Sequence, residues 1–155
     1  GIDMLIGPYI LGRYYSTANS AYNDDKCYDL IYGYIESTGD IDTVHMKKYA
    51  VYISHAKASG GEDDLLLFCL MKVRNGRYNF INLYEYQLQK REDCLKSTDF
   101  LSFDTGEGII YFTLVYKSVY DSNEMLKSDK YSTQDIYDSV LDEDLVFVYY
   151  YGKTE

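Results

Sequence analysis

The chain is poor in several residue types: its 155 residues include one proline (Pro8), two histidines, three cysteines and no tryptophan. A single proline and 11 scattered glycines argue against a disordered or a collagen-like chain. No apolar run approaches the roughly 20 residues of a membrane-spanning helix, and no charged-then-apolar leader is visible. We therefore predict no membrane insertion, and the length predicts a single domain over residues 1–155.

The three cysteines allow at most one internal disulfide, and no two are close enough in sequence to form a CxxC metal clamp. Cys69 lies within the apolar run 65–71, so we expect a buried thiol there. Cys27 and Cys94 have polar neighbours. If any pair is bridged we expect this one, which would indicate an oxidising compartment; the alternative is three free thiols in a cytosolic protein.

Residues with catalytic or metal-binding chemistry are sparse. His45 and His55 are ten positions apart without a third ligand, and we expect both on the surface. The acidic groups at 63–64 and 142–144 read as turns, because they lack the spacing of an EF-hand. No Gly-rich phosphate loop and no Cys-His nucleophile motif is present. The sequence thus predicts no catalytic residue, no metal and no cofactor.

The charge is strongly one-sided, with 25 acidic against 15 basic residues and a net charge of −10. Such a surface repels phosphate backbones, so we expect no nucleic-acid partner. It favours a cationic partner, either a basic protein or a small amine. The alternative is that the acidity serves only solubility.

Aromatic residues are abundant, with 20 tyrosines and six phenylalanines, and they suit β-strands. Asn75-Gly76 between two apolar runs predicts a hairpin. Residues 16–26 read as a long loop, and Ser132 as the N-cap of a short helix over 135–141. The remaining strand pattern has meander order and predicts an all-β fold: an up-and-down antiparallel eight-stranded barrel with one C-terminal helix, or alternatively a β-sandwich. The predicted longer strands are 27–35, 48–56, 65–73, 78–88, 109–119 and 145–151.

Three short motifs carry a resemblance to the lipocalins. Gly12-Arg13-Tyr14-Tyr15 resembles the Gly-x-Trp-Tyr signature that opens the family. Tyr84-Glu85-Tyr86 stands where the Thr-Asp-Tyr motif is expected, and Lys117 where an Arg stacks on the tryptophan. The replacements keep the physical roles, although Lys stacks on a ring less well than Arg. The resemblance implies a barrel end sealed by Gly12, Tyr14 and Lys117.

The resemblance further implies a secreted protein that sequesters or carries a small amphipathic or hydrophobic ligand in its barrel, and we expect a monomer. A cationic amine ligand would need an internal carboxylate, for which Glu36 and Glu85 are the candidates. The same tyrosines are equally explained as ordinary core. The predicted lining, with these two acids, is Tyr32, Tyr34, Glu36, Val51, Leu67, Cys69, Met71, Tyr84, Glu85 and Tyr86.

The alternative function is a protein-binding β domain that uses an acidic, tyrosine-rich surface as its contact face. Tyrosine supplies a large contact area at low entropic cost. The partner would be basic, as for a viral immune-evasion decoy that captures a cytokine or an immunity-type protein that neutralises a toxin. Such binding would weaken steeply with salt, whereas a carrier would show a deep pocket.

Overall fold

The computed structural model describes residues 13–24, 34–58, 64–88 and 100–153. The chain divides into two compact units, Gly1–Gln87 and Leu88–Glu155. Each unit contains one antiparallel four-stranded sheet, so the all-β class is confirmed. No closed barrel is found among the described residues. The barrel, its sandwich alternative and the single domain stay predictions.

The first sheet has its strands side by side in chain order, as an up-and-down arrangement requires. At the turn between the third and fourth strands, Asn75 and Gly76 have φ values of 52° and 73°. A two-residue hairpin of type I′ needs positive φ at both positions, so the predicted Asn-Gly hairpin is confirmed. The four strands are β1 (Tyr34–Met46), β2 (Tyr49–Ala58), β3 (Asp64–Arg74) and β4 (Arg77–Tyr86).

Helix α1 (Ala18–Tyr22) packs on one face of this sheet, within the segment 16–26 that the sequence predicts as a loop. Thr17 caps the helix, because its side chain accepts a hydrogen bond of 3.0 Å from the Ser20 backbone N–H. The loop prediction is therefore wrong for these five residues: small alanines let the helix approach the sheet closely. The buried cluster beneath it comprises Ala18, Ala21, Tyr22, Tyr52, Cys69, Met71 and Phe80.

The inner strands β2 and β3 are buried on both of their faces. The face under α1 carries Tyr52, Ser54, Leu67, Cys69 and Met71. The opposite face carries Val51, Ile53, His55, Phe68 and Leu70. A strand buried on both sides is apolar throughout, which accounts for the continuous run over 65–71. Alternation of polarity therefore holds no information about which face lines a cavity.

The four strands of the second sheet are β5 (Leu101–Asp104), β6 (Ile109–Tyr116), β7 (Ser132–Asp138) and β8 (Glu143–Gly152). Their order in the sheet is β5-β6-β8-β7, so β8 lies between β6 and β7 and the hairpin-linked β7 and β8 occupy one edge. The predicted strands 109–119 and 145–151 are neighbours here, as β6 and β8, which is the order that the predicted meander requires. The departure from chain order comes from β7, which forms where the sequence predicts a helix.

The predicted C-terminal helix over 135–141 is wrong, because β7 (Ser132–Asp138) runs through its first half. Ile136 and Asp138 are buried while Asp135 and Tyr137 are exposed, which is the two-residue period of a strand. Pairing with β8 outweighs the local capping signal at Ser132. The α-helix in the described part of this unit is α2 (Lys117–Asp121), which is followed by a 3₁₀ turn over Met125–Lys127. The strand predicted over 109–119 accordingly ends at Tyr116.

Candidate functional site

An open cleft of about 400 Å³ lies in the first unit, beside the N-terminal end of α1 and the strands beneath it. Its volume falls in the lower part of the range of about 300–1,000 Å³ that is typical of small-molecule sites. Its position was not predicted from the sequence. The residues that line it are Ser16, Thr17, Ala18, Asn19, Asp40, Ile41, Asp42, Thr43, Tyr52 and Tyr78.

A hydrogen-bond network joins the helix to the strands on one side of the cleft. The Asn19 amide donates to Asp40 Oδ2 at 3.1 Å and to the Tyr52 hydroxyl at 2.9 Å. Burial, together with the nearby Asp40 carboxylate, raises the pKa of Tyr52 well above its ordinary value. The Asn19 amide that contacts Asp40 is neutral, so it orients the carboxylate without cancelling its negative charge.

A β-bulge shapes the strand that carries the two carboxylates. Asp40 pairs with Ser54 and Asp42 with Ile53, which leaves Ile41 as an extra residue in β1. A bulge bends the edge strand and interrupts the side-chain alternation. Asp42 also accepts a hydrogen bond of 2.7 Å from the Thr43 backbone N–H. Both aspartates line the cleft.

The opposite wall of the cleft is built around Tyr78 on β4. Its backbone pairs with Tyr15 through two hydrogen bonds of 2.7 and 2.8 Å, which hold the segment before α1 against the sheet. Its hydroxyl lies 2.7 Å from Nε2 of His45. Tyr78 is half-buried, so part of its ring is available at the cleft surface.

The histidines do not form a site together. His45 is exposed as expected, but His55 is buried, with 2% of its surface accessible, so the prediction of two surface histidines is wrong. His45 pairs with Ala50, on the face of β2 opposite to that of His55. In the described part of the chain, no three His, Cys, Asp or Glu side chains gather as metal ligands would.

The structure divides the predicted ligand lining instead of assembling it. Leu67, Cys69 and Met71 lie under α1 and Val51 lies on the opposite face, all at most 1% exposed. Cys69 carries a buried thiol, as predicted. Tyr32, Cys27, Cys94 and the side chains of Tyr34 and Glu36 lie outside the described residues.

The lining residues predicted on β4 also fall on two faces. Tyr86 stacks on Phe68 at a ring distance of 4.9 Å, and Tyr84 pairs with Phe68 on that same side. Glu85 pairs with Leu67 on the other side and is exposed. Among the predicted residues that are described, these placements show no common cavity.

The predicted barrel-end residues that are described make contacts within their own units. Tyr14 is half-buried, with the Arg74 guanidinium 5.5 Å from its ring centre. Lys117 begins α2 and forms an ion pair of 3.7 Å with Asp121, with both side chains substantially exposed. Gly12 lies outside the described residues. The seal stays a prediction.

The second unit carries an acidic surface patch on the β7–β8 hairpin, which we define as Asp135, Tyr137, Asp142 and Asp144. Tyr137 is 56% exposed and donates a hydrogen bond of 2.5 Å to Asp142. This hydrogen bond and the neighbouring negative charges raise the pKa of Tyr137. Residues 131–152 contain no Lys or Arg, so nothing along this stretch of sequence offsets the charge.

The cleft residues missed by sequence analysis left only a partial signal. Thr17 followed by Ala18, Ala21 and Tyr22 is a capped, small-residue helix start that marks where α1 forms. The meeting of Asn19 with Asp40 depends on chain folding over 21 positions, which no local pattern reports.

Comparison with known proteins finds no matching family model, no matching curated protein and no matching solved structure. The resemblance to lipocalins therefore stays a prediction. Within the described segments, no helix combines the length and the apolar character needed to cross a bilayer.

Proposed function

We propose that this protein binds a small amphipathic molecule in the cleft beside α1. The observation that carries the proposal is the cleft itself, about 400 Å³ in volume and lined by hydroxyl, amide and carboxylate groups around two tyrosines. Small-molecule sites combine such a concave space with a few oriented polar groups and aromatic surface. A carrier or scavenger role, as predicted from the sequence, follows from binding alone and requires no catalytic group.

The organisation of the cleft supports binding to a preformed site. The Asn19 amide connects Asp40 and Tyr52 through hydrogen bonds within the protein itself. Groups that are held in place lose less conformational entropy when a ligand arrives, and this raises the affinity.

A variant that fills the cleft tests the proposal. Thr43 is half-buried on the lining, so Thr43→Trp places a large ring into the space. Thr133, exposed on β7, provides the matched control Thr133→Trp. A library of small amphipathic amines, alcohols and acids is screened by NMR against the full chain, with circular dichroism as the check on folding.

We expect ligands of the unaltered protein to bind Thr133→Trp equally well and to lose binding to Thr43→Trp. Chemical shift changes should cluster at α1 and the first part of β1. The proposal is refuted if no compound binds, or if those that bind are unaffected by Thr43→Trp while that variant remains folded.

A second candidate function is capture of a basic protein, and the acidic patch on the β7–β8 hairpin favours it. An exposed tyrosine among three aspartates offers contact area together with charge complementary to Lys and Arg. The test neutralises the three patch aspartates to asparagine and measures binding of a short Lys-rich peptide at several salt concentrations. The matched control removes the same charge elsewhere in the unit through Asp121→Asn, Glu124→Gln and Asp129→Asn.

We expect the patch variant to lose more affinity and more of the salt dependence than the control variant. Equal losses in the two variants would show that only net charge matters, and this candidate function would then be rejected.

A further inference from the structure

We infer that the occupant of the cleft carries a protonated amine, an inference that rests on the proposed small-molecule function. Ten residues line the cleft, and they include two carboxylates, those of Asp40 and Asp42, but no Lys or Arg. The other eight are neutral polar, small apolar or tyrosine residues. The lining thus has a formal charge of −2 and complements a cation.

Asp40 is the primary contact for the ammonium group. It is exposed, and its Oδ2 accepts from the Asn19 amide, which also donates to the Tyr52 hydroxyl. A carboxylate has about four acceptor sites, so this one donor leaves capacity for an N–H donor from a ligand. The amide also helps to hold the carboxylate in one orientation. A hydrogen bond from a charged ammonium to such an acceptor is among the stronger polar contacts in proteins.

The tyrosines indicate what is attached to the amine. Tyr78 presents a half-buried ring at the opposite wall, and Ala18 and Ile41 add small apolar surface. A cation near an aromatic face gains further attraction, and an apolar body covers the ring. The expected ligand class is therefore a small arylalkyl or alkyl amine, with its ammonium at Asp40 and its apolar part toward Tyr78.

A metal ion is a poorer match for the same groups. Calcium takes about six to eight oxygen ligands, and the described residues contain no cluster of three acidic, His or Cys side chains. Asp42 already accepts the Thr43 backbone N–H, and Asp40 accepts from the Asn19 amide. An ammonium group is satisfied by few acceptors, so it suits this arrangement better.

Three probes of nearly equal shape test the inference on the unaltered full chain: phenethylamine, 2-phenylethanol and phenylacetate. Affinities are measured by NMR titration, with calcium chloride alone as a fourth arm. We expect the amine to bind about tenfold or more tightly than the alcohol, because only the amine forms the charge-assisted contact, and the anion to bind weakest. Calcium should not compete with the amine.

Asp40→Asn supplies the residue-level test, with Asp104→Asn, at an exposed position in the second unit, as the charge-matched control. We expect Asp40→Asn to weaken phenethylamine about tenfold and to leave 2-phenylethanol unchanged, while the control changes neither. Should Asp40→Asn fail to fold, the amine-to-alcohol ratio on the unaltered protein still decides.

The possible outcomes distinguish a failure of the amine assignment from a failure of the small-molecule function on which it rests. Equal binding of amine and alcohol, with both lost in Thr43→Trp, would overturn the amine assignment and leave the small-molecule function in place. Calcium binding that excludes the amine would also overturn it. If none of the probes binds, the amine assignment fails, and the library screen against Thr43→Trp and Thr133→Trp judges the function separately.

Discussion

A buried hydrogen bond between Tyr22 and Ser54 should hold α1 against the first sheet, and its removal should be measurable. Ser54 Oγ donates to the Tyr22 hydroxyl at 2.9 Å, and the two residues are 0% and 3% exposed. The Tyr22 ring also packs on Tyr52, with ring centres 4.6 Å apart. Tyr22→Phe keeps this ring contact and deletes only the hydroxyl, so the change in the free energy of unfolding reports the contribution of that hydroxyl.

The expected magnitudes follow from burial. Tyr22→Phe removes the acceptor and leaves the Ser54 hydroxyl in a dry environment, which costs about 1–3 kcal/mol of unfolding free energy. Ser54→Ala removes the donor and should cost about 1 kcal/mol or more for the same reason. In the double variant neither hydroxyl remains to be desolvated. Its cost should fall below the sum of the single costs by about 1 kcal/mol.

Urea unfolding followed by circular dichroism measures the four free energies of this cycle. Ser132→Ala, at an exposed position on β7, is the control and should change stability by less than about 0.5 kcal/mol. Costs that add within about 0.3 kcal/mol would show that the two hydroxyls are not coupled. The docking of α1, and with it the wall of the cleft, would then need another explanation.

Three further predictions concern stability and use the same urea assay. Leu114 is fully buried on β6, so Leu114→Ala should cost about 2–5 kcal/mol, whereas Val140→Ala at a 49% exposed site should cost less than about 0.5 kcal/mol; similar costs would contradict the burial of β6. Gly76 has a φ of 73°, so Gly76→Ala should lower the free energy of unfolding by about 1 kcal/mol and Gly76→Asn by less. If position 76 adopted a negative φ instead, the two variants would not differ in this order. Asp138 is buried and accepts the backbone N–H groups of Val140 at 3.0 Å and Leu141 at 3.2 Å. Asp138→Ala should therefore cost about 2 kcal/mol, and Asp138→Asn, which keeps an acceptor oxygen, should cost less; equal losses would argue for a role of the charge instead.

The parts of the fold that the sequence predicted correctly depend on strong local constraints. Asn75-Gly76 predicts a hairpin because few residues tolerate positive φ at both central positions, and the structure shows those angles. The apolar run over 65–71 predicts a strand, and β3 (Asp64–Arg74) contains it. In each case a few adjacent residues specify the backbone without reference to the rest of the chain.

The errors arise where a local signal competes with distant pairing. Ser132 followed by Asp135 is a helix-capping pattern, but residues 132–138 instead pair with β8. Pairing buries Ile136 against its neighbours, a gain that a short solvent-exposed helix would not match. The departure of the second sheet from chain order has the same cause, since β7, the strand that breaks the order, lies where the helix was predicted.

The cleft was not predicted because it depends on two irregularities in β1 that interrupt the regular alternation of side chains. The sequence named Glu36 and Glu85 as the candidate internal acids, whereas the acids that line the cleft are Asp40 and Asp42. Strand β1 has register shifts between Ile35 and Gly39 and again between Asp40 and Asp42. Each shift resets which side chains face α1. The acid that contacts Asn19 was thus identifiable only once the pairing with β2 and the docking of α1 were known.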